Sequence, residues 1–208
     1  MNTIQNIYCV GRNYVEHIKE LNNQVPEKPV IFSKPTHAVI QANHNIIELP
    51  ANKGEIHYEA ELVIKLANNY TPDASINHLI NKMTVGLDLT LRDVQQDLKN
   101  KGYPWLLSKG FYNSAILGRF IPFPDQTELE KESFSLFINN HEVQNGNVNQ
   151  MIFNLETLIH YIGSNLGLNK GDIIFTGTPS GVSNLYNNDE LDLYWGTENL
   201  GTCTVQIK

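Results

Sequence analysis

The segment IHYEAELVIKL, Ile56 to Leu66, alternates apolar and polar residues with the two-residue period of a β-strand. The face opposite its apolar residues carries His57, Glu59, Glu61 and Lys65. Residues two apart in a strand point the same way, so Glu59 and Glu61 lie about 7 Å apart along the chain. Like charges this close repel unless a cation compensates them. The segment is therefore either an ordinary half-buried strand with a solvated face or half of a metal site.

Short strand patterns bounded by Gly, Pro and Asn predominate in the rest of the chain. We predict strands in IYCVG, KPVIFSKP, HAVIQANHNIIELP, TVGLDLTLRD, FSLFINNHEV, GDIIF, DELDLYWG and TCTVQIK. Helical patterns cover residues 14–21, 73–83 with Ser75 as a possible cap, 93–101 and 154–165. The pattern predicts a mainly β fold with short helices (α+β), although the order of strands in the sheets cannot be read from it. The 208 residues fit a single domain.

Composition and charge exclude several classes of protein. The formal net charge of −7 and the pI near 5.4 argue against a nucleic-acid-binding protein. No apolar stretch reaches the length of a membrane helix, and the N-terminus does not resemble a secretory signal. Cys9 and Cys203 have neither metal-binding nor disulfide-framework spacing, so we expect reduced thiols and a cytoplasmic location. Cys9 has no evident base nearby in sequence and is interpreted as a small buried apolar residue.

A second acidic stretch, GLDLTLRDVQQ, places Asp88 on the strand face opposite three leucines. That face is again either solvated or functional. If this strand lies beside the first, Asp88 converges with Glu59 and Glu61. Three carboxylates form a hard oxygen site, which suits Mg²⁺ or Mn²⁺ better than zinc.

Three further stretches carry candidate functional residues. In RNYVEHIKE, His17 and Glu20 are spaced as neighbours on a helix surface, as in a general-base pair or a solvated mixed-charge helix. Lys109, in GYPWLLSKGF, either extends to solvent or faces an anion in a cleft. The turn in IIFTGTPSGV can hold a carboxylate or be only a turn, and it matches no phosphate, dinucleotide or nucleophile motif.

Taken together and in order, these stretches resemble the fumarylacetoacetate hydrolase family. Those that carry the resemblance are CVGRNYVEHIKE, KPVIFSKP, HYEAEL, GLDLTLRDVQ, PWLLSKGF, QMIF and GDIIFTGTPSGV, which span Cys9 to Val182. The chain is most similar to the short branch of acylpyruvate hydrolases and oxaloacetate decarboxylases. The resemblance implies a mixed β-roll covering residues 1–208, with a lid helix near residues 13–21, in a homodimer. The segment INNHEVQNGNVNQMIF departs from the pattern, with His141 where relatives have Gly and Val148 where they have Thr.

The resemblance also implies roles for individual residues. Glu59, Glu61 and Asp88 correspond to ligands of Mg²⁺ or Mn²⁺, and His17, Glu20 and Lys109 to catalytic positions. The positions that correspond to substrate contacts are Arg12, Gln95, Thr176, Gly177 and Thr178.

The implied activity is metal-dependent chemistry on small 2-oxo or 2,4-dioxo acids through a metal-stabilised enolate. Acylpyruvate hydrolysis and oxaloacetate decarboxylation are the leading expectations. Keto–enol tautomerisation of oxaloacetate and a hydroxymuconate-type isomerisation are alternatives on the same site. A protein that binds a 2-oxo acid without turnover is the alternative from another class.

Overall fold

The structure, a computed structural model, describes residues 4–20 and 24–208. The strands are β1 (Ile7–Gly11), β2 (Val30–Lys34), β3 (Val39–Gln41), β4 (Asn45–Leu49), β5 (Ile56–Tyr58), β6 (Ala60–Leu66), β7 (Ile80–Asp88), β8 (Thr90–Leu91), β9 (Ala115–Leu117), β10 (Ile121–Pro122), β11 (Phe134–Ile138), β12 (His141–Gly146), β13 (Ile173–Phe175), β14 (Ser183–Asn184), β15 (Glu190–Trp195) and β16 (Glu198–Ile207). The helices are α1 (Val15–Glu20), α2 (Ile76–Leu79), α3 (Arg92–Asn100), α4 (Leu106–Lys109), α5 (Gln126–Lys131) and α6 (Leu155–Asn165). No helix in these ranges is long and apolar enough to cross a membrane.

Two large sheets and one small sheet form the body of the molecule. The largest is mixed and has the order β2-β1-β13-β6-β7-β9-β3, with β10 beside β7. The second has the order β12-β11-β15-β16-β4, and the third the order β14-β5-β8. This arrangement confirms the predicted mainly β fold with short helices.

Strand β6 is covered on both faces. Leu62 and Ile64 belong to the main apolar core, which also contains Leu136 and Leu193 of the second sheet. Val63 points the other way, into a separate apolar cluster of the largest sheet. The interpretation of this segment as an ordinary strand with a solvated face is therefore wrong, because Glu59 and Glu61 on that face are only 5% and 2% exposed.

The predicted strand from Glu55 to Leu66 is broken at Glu59. Residues before the break pair with β8 and β14 in the small sheet, and residues after it pair with β7 and β13 in the largest sheet. Its partner makes the same transition, because β7 ends at Asp88 and β8 begins at Thr90. The two strands leave one sheet and enter another side by side, with the backbone N–H of Asp88 donating to the carbonyl of Glu59 at 2.8 Å. Glu59 and Asp88 thus lie together at a corner of the fold.

The prediction of a helix over residues 73–83 is wrong over its second half. Only Ile76–Leu79 is helical, and β7 begins at Ile80. Apolar residues in this segment do have helical spacing, but pairing of Ile80 and Met83 with β6 overrides that weak local preference. The short helices α4 and α5 were not predicted.

Other local predictions are confirmed. Asn154 caps α6 by accepting the backbone N–H of Thr157 at 2.9 Å. Asn139 and Asn140 both have positive φ angles, 51° and 65°, as the tight turn between β11 and β12 requires. Cys9 is 0% exposed, and burial raises the pKa of its thiol well above the usual value.

Candidate metal centre

Three carboxylates converge at the corner between the sheets. Glu59, Glu61 and Asp88 each offer one oxygen, and these oxygens lie within 4.8 Å of one another. The three residues are only 5%, 2% and 0% exposed. Burial of three acids is costly unless cations or hydrogen bonds compensate them, so the surroundings of each decide what the cluster can bind.

Glu61 depends on a backbone turn for its compensation. The N–H of Gly177 donates to Glu61 Oε2 at 2.6 Å. Gly177 has a φ of +103°, and a Cβ there would lie 2.7 Å from the Cβ of Asn13, so only glycine fits this position. Burial first, and then the carboxylates of Asp88 and Glu59, raise the pKa of Glu61 well above its usual value. A cation placed between the three acids would reverse the second effect.

Lys109 lies against two of the carboxylates. Its Nζ donates to Glu59 Oε2 and to Asp88 Oδ2, both at 2.6 Å, and the side chain is 3% exposed. Burial alone lowers the pKa of Lys109, but the carboxylates of Asp88 and Glu59 outweigh it and hold the pKa above its usual value. Lys109 is therefore a fixed ammonium group that faces the acids and not solvent.

A second buried lysine, Lys34, supports the same corner from behind. Its Nζ donates to the backbone carbonyls of Leu89, Lys109 and Ser114. The same atom lies 2.6 Å from Asp88 Oδ1. Lys34 thereby joins the end of β2 to the residues that present Asp88 and Lys109.

The donor set fits a hard divalent cation. Because the three N–H groups of Lys34 are directed at carbonyls, Asp88 Oδ1 has an ionic contact but no hydrogen bond, which is rare among the buried side-chain oxygens of the described residues. A buried carboxylate oxygen with a free lone pair is what an oxygen-preferring ion such as Mg²⁺ or Mn²⁺ would bind. Glu59, Glu61 and Asp88 together supply one carboxylate oxygen each, without any sulfur or imidazole.

Arg92 links this cluster to the first turn of α3. It donates to Glu59 Oε1 at 2.6 Å and to Gln95 Oε1 at 2.7 Å. Its Nε donates to His57 Nδ1 at 3.3 Å. Burial and the nearby Arg92 charge lower the pKa of His57, which favours the neutral ring that can accept this bond. Gln95 is 4% exposed and is held at the wall of the cavity beside Glu59.

The turn after β13 uses its residues differently from the expectation. Thr178 lines the cavity, but the hydroxyl of Thr176 donates to the carbonyl of Leu62 at 2.8 Å and is buried within the fold. Gln144, in the segment that departs from the family pattern, joins this turn to the acidic strand. It accepts the N–H of Ala60 at 2.8 Å and donates to Thr178 Oγ1 at 2.9 Å.

The expected catalytic pair is only partly visible. His17 lies in α1, but its side chain is outside the described residues, as are residues 21–23 of the expected lid region. Glu20 accepts the backbone N–H of Gly181 at 3.2 Å, which ties the end of α1 to the loop after Thr178. The lid therefore stays a prediction.

The carboxylates line a cavity of about 40 Å³, space for roughly three water molecules. Four cationic side chains line it as well: Arg12, Arg92, Lys99 and Lys109. Lys99, Lys34 and Gln144 were not predicted from the sequence. The helical spacing of Arg92, Gln95 and Lys99 could have revealed Lys99, because residues at i, i+3 and i+7 share one face of a helix. No local pattern marks Lys34 or Gln144, whose partners are distant along the chain.

The fold and the site define a protein that buries a carboxylate cluster suited to a divalent cation at the junction of two β-sheets. The family model for the fumarylacetoacetate hydrolase C-terminal domain matches residues 6–208, and the chain belongs to that family. It is 36% identical over 202 residues to the oxaloacetate tautomerase YcgM of Escherichia coli, covering 96% of this chain and 92% of the relative. It is 34% identical to the human mitochondrial oxaloacetate tautomerase FAHD1, covering 98% and 92% of the two chains.

Solved structures agree with this assignment. The fumarylpyruvate hydrolase of Pseudomonas aeruginosa, crystallised with Mn²⁺ and pyruvate, is similar with a TM-score of 0.89 and 29% identity. The similarity covers 99% of this chain and 91% of that one. These relatives are enzymes named for oxo acids, and the structural relative was crystallised with a divalent metal.

Proposed function

We propose that this chain is a Mg²⁺- or Mn²⁺-dependent enzyme acting on small 2-oxo acids, and that keto–enol tautomerisation of oxaloacetate is its principal reaction. The observation that carries the proposal is the convergence of Glu59, Glu61 and Asp88, buried and within 4.8 Å, beside the ammonium of Lys109. We favour this reaction over hydrolysis and decarboxylation, which the sequence alone had favoured, because the two sequence relatives are named oxaloacetate tautomerases.

Glu59, Glu61 and Asp88 would hold the metal, which would supply Lewis-acid polarisation of the substrate's 2-oxo group. Tautomerisation moves a proton from C3 of the substrate to the 2-oxo oxygen. Lys109 contributes a fixed positive charge and N–H donors next to the ligand oxygens, where negative charge develops on the substrate. Arg92 and Gln95 restrain Glu59 and the adjacent wall, so that the substrate is held in one orientation.

The proton-transfer group that we propose is the His17–Glu20 pair. A carboxylate beside an imidazole raises its basicity and fixes its tautomer. This role rests on the family resemblance. It is compatible with the contact of Glu20 with Gly181, which brings the end of α1 to the loop that follows Thr178.

Hydrolysis of a C–C bond in an acylpyruvate is the second candidate. The specific observation in its favour is the similarity to a fumarylpyruvate hydrolase that was crystallised with Mn²⁺ and pyruvate. Oxaloacetate decarboxylation would use the same polarised 2-oxo group. A binding protein without turnover would keep the metal site and lack all three reactions.

The deciding experiment is a set of three assays on chelator-treated protein, with and without added Mg²⁺ or Mn²⁺. Enol absorbance follows oxaloacetate tautomerisation, pyruvate release follows decarboxylation, and loss of acetylpyruvate follows hydrolysis. Protein-free metal is the control, because free metal ions also promote these reactions. We expect metal-dependent tautomerisation to be the fastest. Metal binding without turnover of any substrate would contradict the proposal.

Two variants separate the proposed roles. Glu59→Gln should abolish both Mn²⁺ binding, measured by calorimetry, and turnover. His17→Ala should keep Mn²⁺ affinity within about twofold and lose about 10²-fold or more in turnover, as for a general base. Equal loss of metal affinity and turnover in His17→Ala would contradict the division of roles.

We also propose that the chain forms a homodimer, as the family resemblance implies. Exposed apolar side chains around α4 support a covered surface there, with Leu106 50% exposed and Leu107 72% exposed. Sedimentation equilibrium should give about twice the 23.6 kDa chain mass. A chain-mass species at micromolar concentration would refute the dimer.

A further inference from the structure

Among the described residues, two cationic side chains that line the cavity form no ion pair with a carboxylate. Glu59 and Asp88 form ion pairs with Lys109, Arg92 and Lys34. Glu61 accepts the N–H of Gly177. Neither Arg12 nor Lys99 forms an ion pair with a carboxylate in the part of the chain that the structure describes. Both line the same cavity as the acids, where four cationic side chains face three carboxylates.

Lys99 is held in place by contacts that leave its N–H donors available. Its Nζ lies 5.4 Å from the centre of the Trp105 ring, a cation–π contact. Trp105 packs in turn against Phe32, with ring centres 5.8 Å apart. An aromatic face positions an ammonium group without accepting a conventional hydrogen bond from it. Lys99 is therefore oriented at the cavity with donors that a ligand could use.

Arg12 approaches from the end of β1. A Cβ at the preceding Gly11 would lie 3.6 Å from the Trp105 ring, which places this turn against the aromatic residue that carries Lys99. Arg12 has a φ of 60°, a left-handed conformation that is unfavourable for a non-glycine residue. Such strain persists where the surrounding structure enforces it and is concentrated at binding sites.

The surroundings of Lys99 disfavour its charged form. Burial first, and then the charges of Arg92 and Arg12, lower the pKa of Lys99 to about 8. An anion bound beside Lys99 would relieve its repulsion by the neighbouring guanidinium groups. The ligand class is thus an anionic group bound in the same cavity as the proposed metal.

We propose that Lys99, together with Arg12, forms the subsite for the second carboxylate of a dicarboxylic 2-oxo acid. The inference rests on the proposed function, in which the first carboxylate and the 2-oxo group occupy the metal side of the cavity. Lys99 then determines specificity: oxaloacetate has the second carboxylate, whereas acetylpyruvate has a neutral methyl ketone. Arg12 was expected to contact substrate, but Lys99 and the selectivity for a second carboxylate come from the geometry.

The test compares ligands that differ by one carboxylate. L-malate and L-lactate are unreactive hydroxy acids that differ only at that end, and calorimetry on the Mn²⁺-loaded protein measures the affinity for each. KM for oxaloacetate is measured in parallel. The variants are Lys99→Gln, the charge-preserving Lys99→Arg, and Lys101→Gln. Lys101 is a matched control because it is exposed, two residues away and paired with Asp97.

We expect Lys99→Gln to weaken malate binding and to raise KM for oxaloacetate, each by about tenfold or more. This is the effect of losing one hydrogen bond to a charged group. Lactate and Mn²⁺ affinities should stay within about twofold of wild type. Lys99→Arg should restore most of the selectivity, and Lys101→Gln should leave it unchanged. If Lys99→Gln weakened malate and lactate binding equally, or changed the affinity for neither, the inference would be overturned.

The outcome separates this inference from the proposed function. Lys99-dependent preference for malate in a protein that turns over no oxaloacetate would refute the function and leave the subsite standing. Metal-dependent turnover of oxaloacetate by a wild-type protein that binds malate no better than lactate would refute the subsite alone.

Discussion

At the scale of single residues, the centre is a balance of buried charges. Glu59, Glu61 and Asp88 are each nearly inaccessible to water. Lys109 compensates both Glu59 and Asp88, Lys34 adds a second cation at Asp88, and the N–H of Gly177 donates to Glu61. Lys34 is the least evident of these groups, because it donates to three carbonyls while it lies 2.6 Å from Asp88. Removing one member of a buried ion pair leaves the other charge uncompensated, which is far more costly than replacing both.

Lys34→Met should lower the free energy of unfolding by about 3–5 kcal/mol, because Asp88 loses one of its two cationic partners and three carbonyls lose their donor. Mn²⁺ should recover part of that loss and should stabilise the variant more than it stabilises wild type. Urea unfolding with and without Mn²⁺ measures both effects. Lys208→Met is the control, since Lys208 forms an exposed pair with Glu48 and should change stability by about 1 kcal/mol or less. A loss no larger than in the control would contradict the role of Lys34.

The pH dependence of substrate affinity should follow Lys99. A solvated lysine keeps its charge to about pH 10.4, but the pKa of Lys99 is lowered to about 8, first by burial and then by Arg92 and Arg12. As pH rises through about 8, Lys99 loses its proton, so KM for oxaloacetate should increase. Lys99→Arg should stay flat over this range because arginine remains charged. A wild-type profile that matches Lys99→Arg up to pH 9 would contradict this prediction.

At the scale of elements, the decisive feature is the corner at which β5 passes into β6 beside the passage from β7 into β8. The pairing of these strands brings Asp88 to Glu59, although 29 positions separate them in the sequence. Gln144 closes the corner on its other side. It joins Ala60, which lies between two of the acids, to Thr178 in the turn after β13.

Gln144→Leu should cost about 1–3 kcal/mol of unfolding free energy, because the buried N–H of Ala60 loses its acceptor. It should also weaken Mn²⁺ binding, since Ala60 separates Glu59 from Glu61. Chemical denaturation and Mn²⁺ calorimetry measure the two effects. Gln96→Leu makes the same change on an exposed helix position and should be nearly neutral. Unchanged Mn²⁺ affinity in Gln144→Leu would show that the bond supports the fold alone.

At the scale of the whole molecule, the two large sheets share a core, and the acids lie where the largest sheet meets the small one. Metal binding at such a position should stabilise the entire fold, because an unfolded chain cannot assemble Glu59, Glu61 and Asp88. Before any metal binds, Lys34 and Lys109 supply the positive charge that compensates the buried acids.

Mn²⁺ at 100 times its dissociation constant should raise the melting temperature by about 5–10 °C, which corresponds to about 2.7 kcal/mol for a domain of this size. Chelation should reverse the shift, and Glu61→Gln should remove most of it. Differential scanning fluorimetry measures all three. The absence of a shift in wild type would mean that the acids form only a structural ion-pair cluster with the lysines.

Much of this architecture is local information. The alternation in Ile56–Leu66, the asparagine turn at 139–140 and the cap at Asn154 each predicted their element, because the causes lie within a few neighbouring residues. The residue types of the proposed centre could also be predicted from the sequence, since the acids, Lys109 and the Gly177 turn occur in the order typical of the family. The sequence by itself therefore determined the mainly β class and the chemistry that the site can support.

Only the tertiary structure decided which of these residues meet. It placed Ile80–Met83 in a strand despite their helical spacing, broke the strand at Glu59, and covered the face that carries Glu61. It also brought Lys34, Lys99 and Gln144 to the site. No local sequence pattern marks Lys34 or Gln144. The physical reason is that strand pairing, burial and charge compensation are sums over contacts between distant segments, and no short window of sequence contains them.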